Sequence, residues 1–209
     1  MKGAFFLSAA AVLLAASCAL ADDAASLRLV PFPKHVELSA GAFRLNRPLV
    51  VEVPEAARLA AEAFLIDEFK QLGLAPPELR LSGKEPIARL APVGGRSGPP
   101  PSVRPEAGDE DYALSVAPEA AVIGAKELAG LVHGLATLSQ LVRANRRDGA
   151  IPCLVVRDWP SIRWRAFQDD ITRGPSTKLA QLKRDLARGA RLKLNLFTYY
   201  MQSQFAFKK

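Results

Sequence analysis

The sequence predicts an α+β domain in its first three quarters and the beginning of a β-α-β unit in its last. Three observations carry this. Short strand signals separated by turn residues recur between Val36 and Val156. Two stretches, opening at Pro54 and at Lys126, hold apolar residues at helical spacing. Residues 157–200 then read as strand, loop, helix, strand, a parallel pair that cannot bury both faces of its strands alone.

Met1-Lys2-Gly3, the apolar run from Ala4 to Leu14 and Ala19-Leu20-Ala21 before Asp22-Asp23 form a secretory signal peptide over residues 1–21. The apolar run is too short for a transmembrane span. The expected destination is the periplasm or the exterior. Leu14-Ala15-Ala16-Ser17-Cys18 is a degenerate lipoprotein-type site, so an outer-membrane lipid anchor at Cys18 is the alternative. Cleavage after Ala21 leaves Cys153 alone, without an intrachain disulfide, and its setting in Ile151–Val156 is that of a small buried hydrophobe.

The domain expected over residues 22–156 opens with the extended Leu29-Val30-Pro31-Phe32-Pro33-Lys34. Val36–Leu38, Ala42–Leu45 and Leu49–Val53 read as strands, separated by turns at Ser39-Ala40-Gly41 and Asn46-Arg47-Pro48. Pro54-Glu55 opens a helix that carries Leu59, Ala63, Ile66 and Phe69 and stops at Gly73. A weak strand at Leu79–Leu81 precedes a flexible loop over 91–108, rich in Pro and Gly. Asp111–Val116 and Ala121–Gly124 form a hairpin. Lys126–Val142 is the strongest helix, with Leu128, Leu131, Val132, Leu135, Leu138 and Val142 on one stripe. Gly130 and Gly134 would let its backbone approach a neighbour closely. Ile151–Val156 is a buried strand, which completes a small, mainly antiparallel sheet with two helices.

Charge is unevenly placed. The chain of 209 residues carries a net +7, yet from Arg157 onward twelve Lys and Arg face four Asp, so the whole excess lies in the final segment. The expected reading is a solvated helix face, with nucleic-acid binding excluded by the export signal. His35 and His133 lack a partner at metal-ligand spacing, no H-E-x-x-H occurs, and no phosphate or dinucleotide fingerprint is present, so neither a metal nor a cofactor is expected.

Glu110–Val116, Ile123-Gly124-Ala125 and Ala129–Leu141, in that order, resemble the accessory domain of glycoside hydrolase family 20, the β-N-acetylhexosaminidases. Leu29–Lys34 is similar to the entry into that domain. Asp158-Trp159-Pro160 with Trp164–Arg173, and then Leu192–Leu196, resemble the first and second strands of the family's catalytic barrel. The resemblance implies that residues 157–209 are the truncated start of a (β/α)8 TIM barrel. Ile162–Phe167 would be its first strand, Ser176 or Thr177 would cap its first helix, and Gly189 would close that helix.

The resemblance also implies a retaining hydrolase that removes terminal N-acetylhexosamine from glycans or chito-oligosaccharides, with the substrate's own acetamide oxygen as nucleophile. An adjacent Asp-Glu pair after the fourth strand orients the amide and serves as acid and base. That pair lies beyond this sequence, so the chain alone is expected to be inactive. Asp169-Asp170 matches a structural Asp of the family, with Asp170 anchoring Arg173 or a loop. Arg165 is the expected substrate-binding residue, holding sugar hydroxyls; the alternative is an ion pair with Asp169 or Asp170. Thr198-Tyr199-Tyr200 replaces a His-x-His pattern, and either tyrosine could line a sugar pocket or serve packing. Two further readings remain open: a non-catalytic exported glycan-binding or assembly module, and a related acetamido-sugar hydrolase sharing the accessory domain.

Overall fold

In the computed structural model, residues 23–83, 85–95, 98–103, 108–172 and 177–202 are described. The expected signal peptide, Cys18, Arg173 and a cap at Ser176 lie outside them.

The elements are β1 (His35–Arg44), β2 (Leu49–Pro54), a helical run α1 over 55–71, β3 (Glu78–Ser82), β4 (Ile87–Pro92), β5 (Tyr112–Val116), β6 (Ala121–Ala125), α2 (Leu128–Ala144), β7 (Ala150–Asp158), β8 (Ala166–Asp170), α3 (Leu179–Arg191) and β9 (Leu196–Tyr200). Seven strands form one sheet in the order β1-β7-β5-β6-β4-β2-β3, and β8 pairs with β9 separately. Every neighbouring pair in the large sheet is antiparallel except β2 and β3, whose parallel pairing uses α1 as its crossover. The expected α+β layer is thus a mixed sheet with two helices packed on it.

α1 and α2 supply the core on the helix side. Leu65 and Phe69 from α1 and Leu131, Leu135, Leu138 and Val142 from α2 lie buried with Val51, Leu90, Leu114, Ile123 and Val156 of the sheet. The two glycines of α2 act as their spacing predicts. A Cβ on Gly130 would overlap the Asp111 carbonyl, and one on Gly134 would overlap the Ile123 side chain. The α1 run is less regular than its pattern, passing from a 3-10 turn through α to a π turn at Glu62–Ile66.

Four expectations need correction. The turn at Ser39-Ala40-Gly41 is an irregularity inside one long strand, where the register slips between Leu38↔Leu154 and Ala42↔Pro152. Gly41 takes φ +104 there, and Pro152 opposite has no N–H to give. Ile87–Pro92 is a strand paired with β2 and β6, so the loop begins after Pro92 rather than at Ala91. Gly189 does not close α3; it lies buried inside the helix, where a Cβ would overlap the ring of Phe197. Both parallel strands begin four residues later than expected, at Ala166 and Leu196, because pairing starts only where the Arg165 carbonyl accepts the Asn195 and Leu196 amides.

Candidate functional site

The parallel pair runs in register from Ala166↔Leu196 to Asp170↔Tyr200, which gives it two distinct ends. In barrels of parallel strands, active sites open at the carboxyl ends, whereas the amino ends serve stability. Asp169, Asp170, Tyr199 and Tyr200 lie at the carboxyl end. Asp170 anchors the following loop. Its Oδ1 accepts from the Thr172 amide at 2.9 Å and from the Thr172 hydroxyl at 2.5 Å, and these bonds hold its carboxyl below the usual carboxylate range. Asp169 is half-buried and Asp170 exposed, in keeping with side chains that alternate across a strand. Tyr200 is exposed.

The amino ends carry a denser arrangement. Lys193, only 5% exposed, donates from Nζ to Asp158 Oδ2 at 2.8 Å and to the Tyr112 hydroxyl at 2.9 Å. The Tyr112 and Thr137 hydroxyls lie 2.6 Å apart, and Thr137 Oγ1 donates to the His133 carbonyl at 3.2 Å. Each hydroxyl has one proton. With Thr137's proton on His133, the Tyr112 hydroxyl is shared between Thr137 Oγ1 at 2.6 Å and Asp158 Oδ2 at 3.2 Å, and Asp158 Oδ2 also accepts from the Lys193 ammonium. The other carboxylate oxygen of Asp158 accepts from the Lys34 amide at 3.2 Å. Beside this cluster, Glu110 receives Arg165 Nη2 on Oε2 at 2.7 Å and Asn195 Nδ2 on Oε1 at 2.9 Å. Glu110, Tyr112, His133, Asp158, Arg165 and Lys193 floor a pocket of about 230 Å³, whose walls include Phe32, Trp159 and Ile162.

Burial governs the proton affinities here. It pushes the Lys193 ammonium below its ordinary value against the pull of Asp158, and it pushes the Tyr112 phenol well above 10.0. It also lowers the His133 imidazole from 6.5, with Lys193 and Arg165 adding to the effect and Glu110 opposing it. For Glu110 burial acts upward, but the hydrogen bonds from Asn195 and Arg165 outweigh it and the carboxyl is lowered from 4.5.

Arg165 belongs to this amino-end group. It precedes β8, and five residues at ~3.3 Å each put its backbone roughly 16 Å from the carboxyl end. Its guanidinium donates from Nε to the Lys193 carbonyl at 2.8 Å and from Nη1 to the Ile162 carbonyl at 2.9 Å, in addition to Glu110. The carboxylate it meets is therefore Glu110, not Asp169 or Asp170. This ion pair is with a carboxylate that the sequence did not suggest for it. Glu110, Asp158, Lys193 and Asn195 were not singled out as a group by the sequence. The available signal was Lys193 and Asn195, polar side chains alternating with leucines over Leu192–Leu196.

The seven-stranded sheet packed against α1 and α2 is thus followed by a parallel β-α-β unit. The family profile "Glycosyl hydrolase family 20, domain 2" matches residues 26–159, and the chain belongs to that family. It is 27% identical over 181 residues to "Beta-hexosaminidase" of Vibrio furnissii, covering 87% of this chain and 27% of that protein. It is 32% identical over 173 residues to "Beta-N-acetylhexosaminidase" of Cellulomonas fimi, covering 75% of this chain and 34% of that one. Among solved structures, the fold resembles the exo β-N-acetylglucosaminidase of Vibrio harveyi in complex with N-acetylglucosamine, with TM-score 0.62 at 24% identity, covering 82% of this chain and 25% of that one. It also resembles the Streptomyces plicatus N-acetyl-β-hexosaminidase, with TM-score 0.60 at 25% identity, covering 82% and 34%. The chain thus spans between a quarter and about a third of the length of these relatives.

Proposed function

We propose that this chain is the accessory domain and first β-α-β unit of an exported β-N-acetylhexosaminidase, whose longer form removes terminal N-acetylhexosamine from glycans or chito-oligosaccharides. The observation that carries this reading is the in-register parallel β8-α3-β9 unit, which directly follows the stretch matched to family 20. Its carboxyl ends would open onto the sugar. There Tyr199 or Tyr200 would line the pocket and Asp170 would hold the loop that frames it. Arg165 would support that face from the opposite end of the strand. Hydrolysis would proceed with retention, the acetamide oxygen attacking the anomeric carbon while an acid beyond this sequence protonates the leaving oxygen.

An assay with a chromogenic N-acetylglucosaminide tests this. This chain should give no turnover, and a chain extended through the downstream reading frame, with its Asp-Glu pair, should restore it. Turnover by residues 1–209 alone, or none from the extended chain, would overturn the proposal.

A further inference from the structure

The charge surplus of the last quarter has a specific destination. Three of its cations turn inward onto carboxylates presented by the seven-stranded sheet and its helices. Arg165 meets Glu110 at 2.7 Å, Lys193 meets Asp158 at 2.8 Å, and Arg191 meets Glu68 at 3.5 Å. Glu68 is fully buried on α1 and is also bonded by Arg143 of α2 at 2.9 Å. Arg191 Nη2 donates to the Ala63 carbonyl at 3.0 Å, within the π turn of α1. Gln140 of α2 reaches the Arg191 carbonyl at 2.9 Å while its amide also brackets Val30. Asn195 adds bonds to Glu110 and to the Arg163 carbonyl.

Apolar packing contributes little to this attachment. Gly189 is the only buried residue of α3, and Leu179, Leu186, Phe167 and Leu196 are exposed. Lys193 also holds φ +60 in the turn that ends α3, where its amide bonds the Ala190 carbonyl and the Leu194 amide bonds the Gly189 carbonyl, both at 3.0 Å. That turn aims its ammonium at Asp158 and the Tyr112 hydroxyl. Sliding the α3-to-β9 turn by one residue would place Leu192 or Leu194 against Asp158 and leave that carboxylate without its cation.

We infer that Arg165, Arg191 and Lys193 form one polar latch through which the seven-stranded domain seats the β8-α3-β9 unit and sets the register of its two strands. They are positioning residues, acting through backbone placement without touching substrate. The inference holds whether or not a longer chain hydrolyses glycans, because its test reads strand protection rather than turnover.

Hydrogen exchange on the full chain provides that test. Lys193→Met and Arg165→Met should each speed amide exchange in 166–170 and 196–200 by tenfold or more, with 112–116 and 150–156 unchanged. Lys183→Met, on the exposed face of α3, should alter neither region. Unchanged exchange in the parallel pair, or an equal loss in both regions, would overturn the latch. If Lys193→Met fails to fold, the Arg165–Glu110 pair decides. Protection of β8 and β9 lost in Arg165→Glu should return in Arg165→Glu with Glu110→Arg, and its failure to return would equally overturn the proposal.

Discussion

Lys193 shows how one residue can be costly and still required. A buried ammonium loses its hydration, and its left-handed backbone adds strain of about 1–2 kcal/mol. Asp158 and Tyr112 offset this only while all three groups are present. Removing the cation alone strands a carboxylate that is nearly as buried, so Lys193→Met should loosen the β8-α3-β9 unit by about 3–5 kcal/mol, read from the urea dependence of amide exchange in 166–170 and 196–200. Converting Asp158 to Asn in that background removes the stranded charge and keeps Oδ1 as acceptor for the Lys34 amide. The double variant should therefore be more stable than Lys193→Met alone. A double variant no better than the single would show that shape, not charge, makes the site sensitive.

At the scale of elements, α2 tests close packing directly. Alanine favours a helix over glycine by about 1 kcal/mol, yet at Gly130 its methyl would enter the Asp111 carbonyl. Backbone cannot step aside as a flexible side chain can, so Gly130→Ala should lower stability by roughly 1–3 kcal/mol despite its better propensity, read from the thermal midpoint. This contact was legible in the sequence, because glycines at positions 130 and 134 interrupt a strong apolar stripe. The β5–β6 hairpin was legible for a similar reason, since apolar strands flank a short turn. What was not legible depends on partners distant in sequence. β4 was hidden because proline and glycine follow it closely, and only pairing with β2 and β6 makes Ile87–Pro92 a strand. The parallel strands were read four residues early because Ile162, Trp164 and Leu192 look like strand interior, whereas the polar latch places them in connecting segments. Arg165 moved with that shift, from near the end of the expected strand to just before the amino end of the observed one. The candidate sugar-facing residues at the carboxyl ends were visible as Asp170 and Tyr199-Tyr200, but the junction cluster draws on residues up to 85 positions apart and leaves no local pattern.

For the whole molecule, the junction couples folding to pH because its titratable groups are shifted by burial and by one another. The imidazole of His133 is held below 6.5, facing Glu110, Lys193 and Arg165. As pH falls past 6.5 the unfolded chain takes up that proton before the folded one, so stability declines from there until the folded group also titrates. Glu110 acts further down. Its folded value is below 4.5, so its contribution is complete above 4.5 and is lost as pH drops through the lowered value. Lys193 works in the same sense but from a higher pH: lowered from 10.5, its loss begins as pH falls past 10.5, above the range of the acid steps. Thermal melts at pH 7.5, 5.5 and 4.0 should therefore show two acid steps with separate owners. His133→Gln should shrink the drop between 7.5 and 5.5 and leave the lower step in place. Glu110→Gln should reduce the step below 4.5, and it should also lower the melting temperature at pH 7.5 because Arg165 loses its charged acceptor. If both variants keep the full acid response, the sensitivity lies in groups outside the junction, and the two domains are not held together by these charges as acidification proceeds.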